Sequence, residues 1–171
     1  IAMALLQYTP EVTFQDDFSI LMDVSASLRL FKGPHAISGL IARSIAALGF
    51  TARLGAAPTA QGAWLLARSL RRKGAVLRRR TLTMKSLERM LDRLPCELLP
   101  SAAAYGEWLT GIGAKNLGAL RRLPRIGLLR RTSKELLADL DRAYGQAPPA
   151  RRPARPGFQG TRRHSGGGCS L

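Results

Sequence analysis

The chain has 171 residues, 46% of them hydrophobic, so it is long enough for one or two small domains with buried cores. Its formal net charge of +16 at pH 7 indicates a polyanionic partner, and nucleic acid fits better than a membrane because no basic amphipathic segment has a bulky aromatic apolar face. No apolar run reaches the roughly 18 residues needed to cross a bilayer, and no secretory signal is visible. The two cysteines, Cys96 and Cys169, have no metal-ligand spacing. They favour a reducing compartment, and we expect a cytoplasmic protein that binds no metal.

The positive charge is concentrated in the second half of the chain. Residues 1–67 contain four basic and four acidic residues, which cancel. Residues 68–145 carry 18 Lys or Arg against seven Asp or Glu, and the tail from Gln146 adds five arginines without an acid. The second half is therefore the part predicted to contact a polyanion.

The first predicted element after an apolar run at the N-terminus is a β-hairpin between residues 8 and 31. Asp16 and Asp17 supply its turn, and residues 18–24 form an apolar run rich in strand formers. Asp23 interrupts that run. Because burial of a carboxylate is costly, we expect Asp23 to have a structural or catalytic role. The run IAMALL reads as the end of a helix, so we expect the chain to continue a longer protein.

A helix is predicted from Pro34 through Leu48, with apolar residues at three-to-four spacing and Gly49 as its end. A short strand over residues 51–57 and a helix over residues 60–70 follow. The order strand, strand, helix, strand, helix predicts an α+β fold: an incomplete ferredoxin-like palm, with a mixed or antiparallel sheet and helices on one face.

The sequence pattern changes after the palm-like part. From Thr83 onward, short helices alternate with Pro and Gly, and the last of them has Ser133 as N-cap and Gly145 as its end. Helices are predicted over residues 84–94, 101–109, 114–123 and 133–144. The Arg/Pro/Gly-rich tail lacks apolar periodicity and is predicted to be disordered. The predicted domains are a palm-like unit over 1–70, a basic linker or last strand over 71–81, a helical module over 82–145 and the tail over 146–171.

Two glycines one residue apart, Gly111 and Gly113, separate two of these helices. Such a turn is predicted to leave N–H groups unshielded at a helix N-terminus, which suits a phosphate oxygen. Lys115 is expected in the first turn of the second helix, and Arg121 and Arg122 follow. The pattern is that of a helix-hairpin-helix, which binds DNA backbone without reading sequence; an ordinary interhelical turn is the alternative.

A second basic segment lies at the domain boundary. Arg71, Arg72 and Lys73 belong to a group of seven cations between residues 68 and 80 that contains no acid. We predict a surface that follows phosphates and binds with a steep salt dependence. A solvated linker is the alternative.

The hairpin also carries a family resemblance. Its sequence YTPEVTFQDDFSILMDVSAS resembles, without a gap, the second catalytic segment of the Y-family (translesion) DNA polymerases, with Tyr8-Thr9-Pro10 and Met22-Asp23-Val24-Ser25 on matching positions. Residues 55–68 look like a second segment of that family, and the helix-hairpin-helix falls where these polymerases carry their thumb.

The departures from the family pattern bear on catalysis. The family's Asp-Glu pair, which holds Mg²⁺, falls on Phe18 and Ser19, and neither side chain can replace a carboxylate. The resemblance is therefore to the non-catalytic ImuB-type branch, and it implies no catalytic residue and no cofactor. It also implies an adaptor in SOS-induced translesion synthesis, with an error-prone DNA polymerase, the sliding clamp and a RecA-like mutasome subunit as partners. An active Y-family polymerase and a plain helix-hairpin-helix module remain as alternatives.

Overall fold

A computed structural model describes residues 1–15, 17–69 and 79–147. Within these ranges the protein is a mixed α+β fold with one two-stranded antiparallel sheet and nine α-helices. No helix in this described part is long and apolar enough to cross a membrane. The helices are α1 (Ala2–Leu5), α2 (Pro34–Ala47), α3 (Ala60–Arg68), α4 (Met84–Leu91), α5 (Pro100–Ala103), α6 (Gly106–Gly111), α7 (Leu117–Arg122), α8 (Arg125–Arg131) and α9 (Lys134–Ala143).

The predicted hairpin is confirmed, with shorter strands than expected. Strand β1 (Val12–Phe14) pairs with β2 (Ile20–Met22), and Thr13 lies opposite Leu21. The second strand begins at Ile20 and not at residue 18, because Phe18 adopts a left-handed backbone with φ of 59° in the tip. The side chain of Phe18 is fully exposed there.

A small core joins the hairpin to α1 and α2. The Tyr8 hydroxyl lies 2.6 Å from the Ser44 Oγ, and its ring meets Phe31 edge-on at 5.5 Å. Helix α2 begins at Pro34 and is followed by Gly49 with φ of 79°, as predicted. The buried residues of this core are Leu5, Tyr8, Ile37, Ile41 and Ile45.

The predicted strand over residues 51–57 is wrong as a regular strand. Ala56 alone forms a parallel bridge with Arg80, through hydrogen bonds of 3.0 Å to the Arg79 carbonyl and 2.9 Å from the Thr81 amide. Gly55 lies so close to α3 that a Cβ there would approach the Ala63 carbonyl oxygen to 2.3 Å. The segment is therefore packed against a helix, and the ferredoxin-like sheet does not extend beyond β1 and β2 in the described residues.

A larger core unites α3 with the helices after residue 82. The Thr59 Oγ1 donates to the Ala143 carbonyl at 2.9 Å and also accepts from the Gly62 amide at 3.0 Å, so it caps α3 and ties it to α9. Helix α3, which the sequence places in the palm-like unit, thus contributes its buried face to the helical module. The fully buried leucines of this core are Leu65, Leu66, Leu87, Leu91, Leu99, Leu109, Leu117, Leu120 and Leu136.

The helical module differs from the prediction in two places. The helix predicted over 101–109 is divided into α5 and α6 at Ala104 and Tyr105. The sequence does not predict α8, because Pro124 indicates the end of the preceding helix. Proline is also common at the start of a helix, and Pro124 is the N-cap of α8. The Ser133 cap of α9 is confirmed, since its Oγ accepts from the Leu136 amide at 3.2 Å.

Candidate nucleic-acid interface

The turn between α6 and α7 is closed by its own hydrogen bonds. Gly113 has φ of 76°, which only glycine adopts readily, and its amide donates to the Thr110 carbonyl at 3.0 Å. The amides of Ala114 and Lys115 donate to the carbonyls of Leu109 and Gly113. Gly111 is the last residue of α6, not part of an open loop. The prediction that this turn leaves its N–H groups unshielded is therefore wrong for Gly113.

The N-terminus of α7 is also occupied. The helix begins at Leu117, not at residue 114, because the Asn116 side chain caps it by accepting from the Ala119 amide at 2.7 Å. The Leu117 amide donates to the Leu94 carbonyl at 2.9 Å. Lys115 consequently precedes the cap and does not lie in the first turn. Anion binding at this hairpin must come from side chains, because the helix-end amides already have partners.

The predicted cations of α7 have different surroundings. Lys115 and Arg122 are exposed, and the Arg122 Nε donates to the Gly118 carbonyl of the same helix at 3.1 Å. Arg121 is partly buried and contacts α4 and the C-cap of α9: its guanidinium lies 3.3 Å from a Glu88 carboxylate oxygen and 4.4 Å from the centre of the Tyr144 ring. The structure thus places Arg121 and Arg122 on α7 and Lys115 just before its N-cap, and of these three Lys115 and Arg122 are exposed.

Tyr144 connects the elements that support this helix. Its hydroxyl donates to the Asp92 Oδ1 at 2.7 Å, and burial together with this bond raises the pKa of Tyr144 far above its ordinary value. Asp92 in turn packs on Gly118, whose added Cβ would lie 2.8 Å from the Asp92 Cβ. The end of α4, the start of α7 and the end of α9 are thus fixed against one another, which gives the hairpin a rigid base.

Helix α8 carries three further arginines with different surroundings. Arg130 and Arg131 are exposed at its C-terminal end. Arg125, in contrast, makes two hydrogen bonds of 2.8 and 2.6 Å to Asp141, and these bonds raise its pKa. The run of arginines was visible in the sequence, but the sequence did not show that Arg125 is paired with Asp141 while Arg130 and Arg131 are exposed.

The predicted linker cations Arg71, Arg72 and Lys73 lie outside the described residues. Their contribution to DNA binding stays a prediction.

The hairpin tip, where the family's metal ligands are expected, has a different organisation. Asp17 forms an ion pair with Arg68 and accepts a 3.4 Å hydrogen bond from the Trp64 indole, while Arg68 lies over that ring at 4.6 Å. Burial opposes ionisation of Asp17, but bonds from Ser19 and Trp64 and the charge of Arg68 outweigh it and lower its pKa. Among the residues that the structure describes, no three metal-ligating side chains form a group that could hold an ion.

Asp23 has a structural role. Its carboxylate accepts from the Ser25 amide at 2.9 Å and from the hydroxyl of the same residue, which fixes the turn after β2. Of the structural and catalytic reasons that the sequence leaves open for Asp23, these contacts support the structural one.

Comparison with known proteins gives one similarity. The chain is 29% identical over 156 residues to Protein ImuB of Caulobacter vibrioides, in each of two strains, and the match covers 90% of this chain. The chain spans 33% of the length of these curated relatives. No family model matches the chain, and no solved structure matches it significantly. This similarity supports a relationship between the chain and ImuB.

Proposed function

We propose that this chain belongs to a non-catalytic, Y-family-like protein of the cytoplasm that binds DNA backbone and supports error-prone translesion synthesis as an adaptor. The DNA-binding part of the proposal rests on two exposed cations, Lys115 and Arg122. Lys115 precedes the N-cap of α7, and Arg122 is the last residue of that helix. The similarity to ImuB along most of the chain supports the adaptor part. An error-prone polymerase, the sliding clamp and a RecA-like subunit are the partners proposed from that similarity.

The proposal assigns DNA contact to side chains and not to the turn amides. Gly111 and Gly113 shape the turn, and Arg121 positions α7 through Glu88 and Tyr144. Lys115 and Arg122 then bind phosphates directly. Contacts of this kind neutralise charge without reading bases, so binding is independent of sequence and falls with salt.

The absence of catalysis is proposed from the hairpin tip. Nucleotidyl transfer by this family needs carboxylates that hold Mg²⁺ ions on the triphosphate and the primer end. Phe18 occupies one of the expected positions with a fully exposed ring, and the neighbouring Asp17 is neutralised by Arg68. Asp23 is engaged with Ser25. In the described part of the hairpin, Asp17 and Asp23 are therefore engaged with other side chains, which supports the proposal that they do not hold a metal ion.

The DNA-binding proposal is tested by fluorescence anisotropy with labelled duplexes of two unrelated sequences over a range of salt. Lys115→Ala and Arg122→Ala should each weaken binding equally for both sequences and reduce the salt slope by about one. Arg53→Ala, which removes an exposed cation from the neutral half, is the matched control and should change neither. Unchanged affinity and slope in both Lys115→Ala and Arg122→Ala would refute the assignment.

The alternative of an active polymerase is tested by primer extension with Mg²⁺ and all four nucleotides. We expect no incorporation above background. Incorporation that disappears in Asp17→Asn would overturn the non-catalytic reading, because that substitution keeps the size of the side chain but removes its charge.

A further inference from the structure

An open groove of about 430 Å³ lies beside the first turns of α2, away from the helices that carry the proposed DNA contacts. Its walls combine apolar side chains with basic ones. The residues that form them are Leu30, Phe31, Lys32, His35, Leu40 and Arg43.

The apolar part of the groove is available to a ligand. Leu30 is 78% exposed although it lies next to the core residue Phe31, whose ring packs on Tyr8. Gly39 lines the groove from within α2, and a Cβ at this position would meet no atom within 4 Å. Part of the groove is therefore open because Gly39 has no side chain, although α2 has room for one at this position.

The basic part of the groove has no internal counter-charge. Residues 25–53 contain four Lys or Arg and no Asp or Glu. Neither Lys32 nor Arg43 forms an ion pair with any residue in the described part of the chain. The first turn of α2 also lacks an acidic residue, so the positive end of the helix dipole adds to the field of these cations.

We propose that this groove binds a partner protein through a short acidic segment that inserts an apolar side chain. The cations at the rim select the acidic residues, and Leu30 and Leu40 cover the apolar one. A nucleic-acid backbone would satisfy the cations but leave the apolar wall in water. A small molecule would remain largely uncovered, because small-molecule sites enclose most of their ligand and this groove is open.

The inference deepens the adaptor part of the proposed function by naming the chemistry of a partner. The test is a display library of random peptides of about a dozen residues, selected on the full chain and counter-selected on Gly39→Leu, which fills the groove. Selected peptides should share Asp or Glu beside Leu, Ile or Phe. The consensus peptide should bind Gly39→Leu and Arg43→Glu at least about tenfold more weakly than the unmodified chain.

Matched variants keep the result interpretable. Ala46→Leu adds the same side chain to an exposed position of α2 outside the groove, and Arg53→Glu reverses an exposed charge elsewhere; both should bind the peptide normally. Circular dichroism should show that Gly39→Leu retains its helix content, and its duplex affinity should be unchanged. This separates failure of the groove from failure of DNA binding.

Three results would overturn the inference: no peptide that distinguishes the chain from Gly39→Leu, a consensus without acidic residues, or displacement of the peptide by a thymidine oligonucleotide. The last of these would assign the groove to nucleic acid.

Discussion

Gly118 provides the sharpest test of how α7 is held in place. A methyl group at this position would lie 2.8 Å from the Asp92 Cβ and 3.0 Å from both the Asp92 Cγ and its carbonyl oxygen. Real Cβ atoms essentially never approach other atoms this closely, and the carbonyl belongs to the backbone at the end of α4. Gly118→Ala must therefore move α7 or the end of α4.

The expected cost follows from two opposing effects. Alanine is favoured over glycine inside a helix by about 1 kcal/mol. Overpacking of a tight contact costs about 1–3 kcal/mol, and displacement of Asp92 also weakens its 2.7 Å hydrogen bond from Tyr144, a contact to a charged group of the kind that contributes about 1.5–3 kcal/mol. The net effect is destabilisation by about 1–3 kcal/mol.

Urea unfolding followed by far-UV circular dichroism measures this effect. Gly39→Ala is the matched control, because its added Cβ meets no atom within 4 Å, and it should stabilise the protein by up to about 1 kcal/mol. The double variant Gly118→Ala, Tyr144→Phe should be less destabilised than the sum of the single variants, because both act through Asp92. If Gly118→Ala stabilises the protein as Gly39→Ala does, the close packing of α7 on α4 is refuted.

Two further predictions concern ionisable groups. In a Cys169→Ser variant, Cys96 should react slowly with a thiol reagent at pH 8 and quickly in denaturant, because burial raises its pKa to about 11 and leaves about one thiol in a thousand ionised; rapid labelling of the folded protein would contradict its burial. Asp17 has a folded-state pKa below the ordinary value of 3.8, so its pairing stabilises the hairpin above that pH and is lost as the pH falls through the lowered value. In a Trp108→Phe background, Trp64 fluorescence should therefore change on acidification, and the change should be absent in Asp17→Asn.

The local elements could largely be predicted because their signals lie within a few residues. Alternation and the two aspartates predicted the hairpin, and Pro34, Gly49 and Ser133 predicted helix ends that the structure confirms. The strand over residues 51–57 failed because a strand needs a partner, and only Arg80 pairs with that segment in the described residues. Its packing on α3 depends on a contact that no local pattern encodes.

The assignment of α3 shows the same limit at the level of cores. The sequence predicted a helix over residues 60–70, and Leu65 and Leu66 lie on the buried face of α3. Which core receives that face is decided by the Thr59 contact with Ala143, across 84 positions of sequence. A boundary placed by composition near residue 70 could not detect this contact.

The turn at the candidate interface was predicted correctly, but the hydrogen-bond partners of one of its amides and of Arg121 come from distant parts of the sequence. The glycine spacing indicated the bend at Gly113, which the backbone confirms. The amides expected to bind phosphate are instead occupied, in part by the Leu94 carbonyl, which belongs to another element. Likewise, the residues near Arg121 in sequence do not predict its contacts with Glu88 and Tyr144.

These pairings change what the net charge means. Residues 79–147 carry 13 Lys or Arg against seven Asp or Glu, and three of those cations are held in ion pairs: Arg121, Arg125 and Arg142. Each of the three is paired with a carboxylate of the helical module, and Arg121 also lies over the Tyr144 ring. Exposed ion pairs contribute little stability, about 0–1 kcal/mol. They do neutralise cations that could otherwise attract an anion. In the proposed function, phosphates would therefore meet the exposed cations outside these ion pairs, with Lys115 and Arg122 among them.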